Sequence, residues 1–296
     1  MSKKVVVTGA NGFIGRNVVS YLKENGFYVI GFGRKIDCIA KCDEYFCKDI
    51  ADSSVKDILI DDVFAVVHAA ACLEKDDWNK NVFDANVIGT FNVINFAVVH
   101  NCKKFIYTSG LPIIGKPENL PISESHSVNP PTFYHVTKLI GEEFVRFLSH
   151  SGIQGIGLRI PSPVGKDMPC TTILPIFLKK ALQNEKIELS GKGTRRQNYI
   201  DVRDITQAIL TILEMQVESG IYNIGAKQTI SNYELAKLCV EMTNSKSEIC
   251  FNGKPDLTDD FDWNIDYSKA EKAFAFKPNY NVVDTIKSIL EGWKEL

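Results

Sequence analysis

Val5-Val6-Val7-Thr8-Gly9-Ala10-Asn11-Gly12-Phe13-Ile14-Gly15 decides the reading of this chain. A β-branched run enters three glycines, and Phe13 to Glu24 then carries the spacing of an amphipathic helix. Gly9 permits a tight turn, Gly12 lets a pyrophosphate approach bare backbone, and Gly15 lets helix and strand pack closely. The opening helix offers free N–H groups and the positive end of its dipole to an anion. A glycine triplet alone is weak evidence. Here it follows a strand and opens a helix, which is the context that a dinucleotide requires.

Outward from this turn, Tyr28 to Phe32, Phe64 to His68, Phe105 to Thr108 and Gly155 to Ile160 read as buried parallel strands. Helical spacing fills Phe13 to Glu24 and Trp78 to Val99 between them. Alternation of this kind predicts a doubly wound parallel sheet with right-handed crossovers. Prolines 161, 163, 169 and 175 then break the pattern, and helices follow at Ile173 to Gln183, Val202 to Met215, Ser231 to Met242 and Val282 to Lys294. Capping boxes are expected at Ser231/Glu234 and Ser268/Glu271. The expected division is 1–160 for a nucleotide-binding domain and 161–296 for a smaller mixed α/β lobe, with some chain crossing back.

The 296 residues suffice for a proper core, and 45% hydrophobic with 24% charged residues is ordinary globular composition. A net charge of -2 gives no general pull toward nucleic acid or anionic membrane. No run of about 18 apolar residues is apparent, so no membrane span is expected. The first four residues lead straight into the strand, which argues for a cytoplasmic protein without a signal peptide. Among eight cysteines, Cys38, Cys42 and Cys47 stand close in sequence. Their spacing matches no common zinc pattern, so reduced thiols and no metal are expected.

Further motifs carry a resemblance. Tyr134-His135-Val136-Thr137-Lys138 is a YxxxK, Asn86 to Asn92 is an NxxGTxN, and Gly191 to Asp204 forms a glycine- and arginine-bearing stretch. With the glycine turn, these resemble the extended short-chain dehydrogenase/reductase family, in its nucleotide-sugar epimerase/dehydratase branch, over essentially the whole chain. The resemblance implies a Rossmann-type sheet with a substrate lobe, an NAD(P) cofactor and a nucleotide-diphosphate sugar substrate. The cofactor would be held by Gly9, Asn11, Gly12, Phe13, Ile14 and Gly15, by Arg34 and Lys35, by Asp49 and Ile50, and by Ala69, Ala70 and Ala71. Asn86, Thr108, Tyr134, Lys138 and Pro161 complete the set. Family members commonly pair as homodimers through two helices, here Trp78 to Val99 and the helix carrying Tyr134.

Residues four apart share a helix face, so Tyr134 and Lys138 can enter one cleft. An ammonium beside a phenol, together with a positively charged oxidised nicotinamide, favours phenolate, which would make Tyr134 a base and Lys138 its partner. By family pattern a Ser or Thr stands five residues before Gly115, but that position is Gly110. Ser109 is the expected substitute, as catalytic and substrate-binding hydroxyl. Leu111 and Pro112 occupy the places of a dehydratase's acid/base pair, which argues against dehydration. Arg34 and Lys35 stand where an acid would select NAD, so NADP is slightly favoured over NAD. Arg195 and Arg196 are the candidates for the substrate diphosphate. The leading expectation is a sugar 4-epimerase. Its alternatives are an NADPH-dependent 4-keto-sugar reductase and a non-enzymatic NADP(H) sensor.

Overall fold

The computed structural model describes residues 2–74 and 76–294. Its centre is a seven-stranded parallel sheet. In chain order the first six strands are β1 (Lys4–Thr8), β2 (Tyr28–Gly33), β3 (Glu44–Cys47), β4 (Val63–His68), β5 (Lys104–Gly110) and β6 (Gln154–Ile160). Gly220–Asn223 adds the seventh beside β6, and the order across the sheet is Gly220–Asn223, β6, β5, β4, β1, β2, β3. The order reverses direction at β1, so a crevice opens where β1 and β4 end.

Two apolar layers cover the faces. On one, the Phe13–Glu24 and Val202–Glu214 helices bury Val18, Val19, Leu22, Ile205 and Ile209 against Val5, Val7 and Ile106. On the other, Val93, Phe96 and Ala97 pack over Val6, Val66 and Phe105. A third cluster builds the substrate lobe from Leu174, Phe177, Leu178, Leu235 and Ile286. Residues 202–224 thus serve the main sheet although they follow the lobe's first helix in sequence.

Lys80–Val99 forms one continuous helical stretch of 20 residues, with a π-helical turn at Asp84–Ile88. Contrary to the sequence expectation, its hydropathy and length are those of a membrane span. Half of it is buried inside the protein, as in a core helix. The π-turn directs Asn86 inward.

Two strands of the central sheet were not anticipated. Glu44–Cys47 is short and half exposed, and Gly220–Asn223 lies far in sequence from its sheet partner. The Ser231/Glu234 capping box forms. The Ser268/Glu271 box does not, because the Asp266 carboxylate accepts from the Ser268 amide and Tyr267 is the cap residue. Among the described residues, no group of three potential ligands gathers to hold a metal. Cys42 instead lies against Gly31, its thiol pushed up to about 12 by burial and then by Cys38.

Candidate active site

A cleft of about 560 Å³ opens at the carboxyl ends of β4, β5 and β6, between the sheet and the lobe. Its floor begins with the glycine turn. Gly12 donates to the Gly9 carbonyl at 2.8 Å, and Gly9 holds φ +65°. A Cβ on Gly15 would stand 2.1 Å from the Gly9 oxygen, and one on Gly9 2.7 Å from the Ala70 Cα. The backbone is therefore already at contact distance. No side chain caps the Phe13–Glu24 helix and no acid sits in its first turn, so its leading amides remain available to an anion. This cradle fits a dinucleotide pyrophosphate. Gly12, Phe13, Ile14, Gly15, Ala69, Ala71, Thr108 and Pro161 all line the cleft.

Of the other expected cofactor residues, Tyr134 and Lys138 also line the cleft, and the rest stand outside its lining. Arg34 and Lys35 are exposed on the loop after β2. Asp49 is exposed, its carboxylate accepting from the Ala51 amide at 3.0 Å. Ile50 is buried against Gly89. Asn11 accepts from the Ala40 amide and donates to the Asp37 carbonyl, tying the turn to the loop after β2. Asn86 does not line the cleft. Its amide bonds both backbone groups of Cys72 and the Thr137 hydroxyl, so it braces the wall behind the site.

Tyr134 and Lys138 both line the cleft from the Phe133–Phe147 helix, whose apolar face packs on β5 and β6. Burial pushes the Tyr134 phenol up to about 12. Lys138 is pulled down to about 7 by burial, partly opposed by Glu142, and its Nζ lies 4.1 Å from the centre of the Tyr107 ring. In the protein by itself, desolvation moves both groups toward their neutral forms.

Behind them lies a buried network that motif reading missed. The Ser109 hydroxyl donates to Glu142 Oε1 at 2.6 Å, and Arg159 grips both Glu142 oxygens at 2.9 to 3.3 Å. Glu142 and Arg159 are almost wholly buried. Ser109 reaches the cleft, but its proton is committed to Glu142, which leaves its oxygen as an acceptor toward the cleft. The spacing of Glu142, one helical turn past Lys138, was the available signal. At Gly110 a Cβ would meet nothing nearer than Pro112 Cδ at 3.7 Å. Leu111 points into a small core with Ile113, Ile122, Trp263 and Ile265.

On the lobe side, Arg195 and Gln197 line the cleft. Arg195 reaches Thr258 at 2.9 Å and Asp256 at 3.7 Å, leaving its Nε without a partner. Arg196 is directed away, held by Thr229 and by Glu234 at 3.0 Å. Adjacent residues of a strand face opposite sides, so only one of the two arginines can serve the cleft. His135 also lines it, with Nδ1 fixed by the Thr132 hydroxyl at 2.7 Å.

A Rossmann-type sheet, a pyrophosphate cradle and a Tyr/Lys pair in one cleft define a dinucleotide-dependent oxidoreductase of the extended short-chain type. The model of the NAD dependent epimerase/dehydratase family matches residues 5–225, and the chain belongs to this family of NAD-dependent enzymes. Among curated relatives, a UDP-glucose 4-epimerase of Lactobacillus helveticus is 28% identical, covering 98% of this chain and 96% of its own. A dTDP-4-dehydro-6-deoxyglucose reductase of Escherichia coli is 25% identical, covering 97% and 96%. A solved UDP-glucose 4-epimerase of Thermotoga maritima, with UDP-glucose, has the same fold at TM-score 0.90 and 23% identity, covering 99% of each chain.

Proposed function

We propose that this protein is a nucleotide-sugar 4-epimerase working by reversible hydride transfer at C4. The observation that carries the reading is the presence of Tyr134, Lys138, the glycine turn and Arg195 around one cleft. A bound nicotinamide would supply the hydride acceptor and a positive charge. Tyr134 takes the proton of the C4 hydroxyl as hydride leaves C4, and gives it back when hydride returns to the other face. Lys138, when protonated, favours the phenolate that this step needs. Arg195 lines the cleft with its guanidinium partly exposed, which suits a diphosphate oxygen. Leu111, committed to packing, supports interconversion rather than loss of water.

The test is turnover of UDP-, dTDP- and GDP-sugars at C4 with no cofactor added. Tyr134→Phe should lower the rate at least about a hundredfold. An unchanged rate would remove Tyr134 from the chemistry.

A second reading, an NADPH-dependent 4-keto-sugar reductase, draws on Gly33, Arg34 and Lys35, where no carboxylate faces a 2′-phosphate. NADPH consumption at 340 nm with a keto-sugar would favour it. We infer slight preference for NADP over NAD on the same residues. The exposed Phe91, Val99 and Phe147, on the Lys80–Val99 and Phe133–Phe147 helices, suit pairing with a second copy. A cytoplasmic setting suits the eight thiols.

A further inference from the structure

The cofactor cleft does not account for a second glycine pair, Gly31 and Gly33 of β2. Both lie beneath the ring of Tyr45, which comes from β3. A Cβ on Gly31 would meet Cys42 Sγ first and Tyr45 Cδ2 at 3.0 Å, and one on Gly33 would stand 2.6 Å from the Tyr45 hydroxyl oxygen. The two glycines are the bed of this ring. Its hydroxyl is also tied down, donating to the Lys35 carbonyl at 2.7 Å and accepting from Asn11 Nδ2 at 3.1 Å. Asn11 belongs to the pyrophosphate turn, so the side-chain direction of Gly33 points to the face that the cofactor would use.

Gly33 is the last residue of β2. In doubly wound nucleotide sites an acid at this strand end accepts from the adenosine ribose hydroxyls. Here the phenol of Tyr45 fills the space where such an acid would begin. The phenol is neutral, and the backbone it holds carries Arg34 and Lys35. The side chains of both have no hydrogen-bond or ionic partner among the described residues. The nearest acid of the loop, Asp37, is tied by its carbonyl to Asn11, and its side chain is exposed.

We propose that Tyr45 is a specificity-determining residue of the adenosine end. Lying on Gly31 and Gly33, it excludes an acidic side chain from the ribose and holds the Arg34–Lys35 backbone for a ribose that carries a 2′-phosphate. This rests on the dinucleotide reading of the cleft and deepens its cofactor preference.

The test is calorimetric binding of NADP+, NAD+, 2′,5′-ADP and ADP to the purified protein, without turnover. Gly33→Asp alone should weaken both dinucleotides at least tenfold, because the carboxylate meets the Tyr45 hydroxyl. Gly33→Asp with Tyr45→Ala should regain NAD+ at least tenfold over the single variant and prefer it to NADP+. Tyr45→Phe keeps the ring and frees the Lys35 carbonyl, and should lower the NADP+ to NAD+ affinity ratio at least threefold, with 2′,5′-ADP and ADP following. The proposal is overturned if Gly33→Asp gains NAD+ with Tyr45 in place, or if Tyr45→Phe leaves the ratio unchanged. Should the parent prefer NAD+, the NADP preference fails, while the response of the ratio to Tyr45→Phe still decides the role of Tyr45.

Discussion

Two glycines line the same cleft under opposite constraints. Gly15 has the Gly9 carbonyl where its Cβ would be, at 2.1 Å, while Gly110 has open space to 3.7 Å. The first is glycine because strand and helix must touch. The second is glycine at a place where a hydroxyl would fit, so its identity concerns chemistry rather than packing. The glycine turn is therefore the packed end of this cleft, closed by backbone, and the Ser109–Gly110 loop is its exchangeable end.

The largest effect should come from breaking the packed end. Gly15→Ala drives a methyl into a backbone carbonyl, and we expect a loss of at least about 3 kcal/mol in stability together with dinucleotide binding. Thermal denaturation and cofactor titration would show it. A stable variant that still binds would refute the idea of a turn closed by contact.

Next is His68, fully buried beside the turn at the end of β4. Its ring is held by Thr8 at 2.6 Å and Thr90 at 3.0 Å. Its pKa falls from 6.5 to about 3, through burial first and Lys138 second. Above pH 6.5 folded and unfolded chains both carry it neutral. As pH falls from there toward 3, only the unfolded chain takes the proton. Stability should drop by a few kcal/mol across that window, and His68→Gln should flatten the slope in urea titrations. A parent and variant with equal slopes would contradict this burial.

The smallest effects belong to the exchangeable end. Gly110→Ser should leave stability within about 1 kcal/mol and raise turnover several-fold, since one oriented donor can be worth more than that. Ser109→Ala should cost less than about tenfold, because its proton serves Glu142 rather than substrate. A larger loss at Ser109 than gain at Gly110 would reverse the roles assigned to the two positions.

Much of this was legible in the chain. Five strands of the sheet, the turn and the Tyr134/Lys138 pair follow from local periodicity, and helix spacing alone puts that pair on one face. Glu44–Cys47 was hidden because its alternation is short and half exposed. The Ser268 cap failed because Asp266, two residues earlier, reached the amide first. Arg195 and Arg196 looked equivalent until the lobe turned one to the cleft and gave the other to Glu234.

The sequence by itself determined the β-strand, glycine turn and helix that receive a dinucleotide, because those depend on residues within one or two turns of each other. Only the tertiary structure decided what the site's polar groups do. Burial moved Tyr134 and Lys138 away from their ordinary titration in opposite directions, Glu142, itself held by Arg159, claimed the Ser109 proton, and Tyr45 settled over Gly33. Each outcome depends on desolvation or contact between segments distant in sequence, which no local pattern encodes.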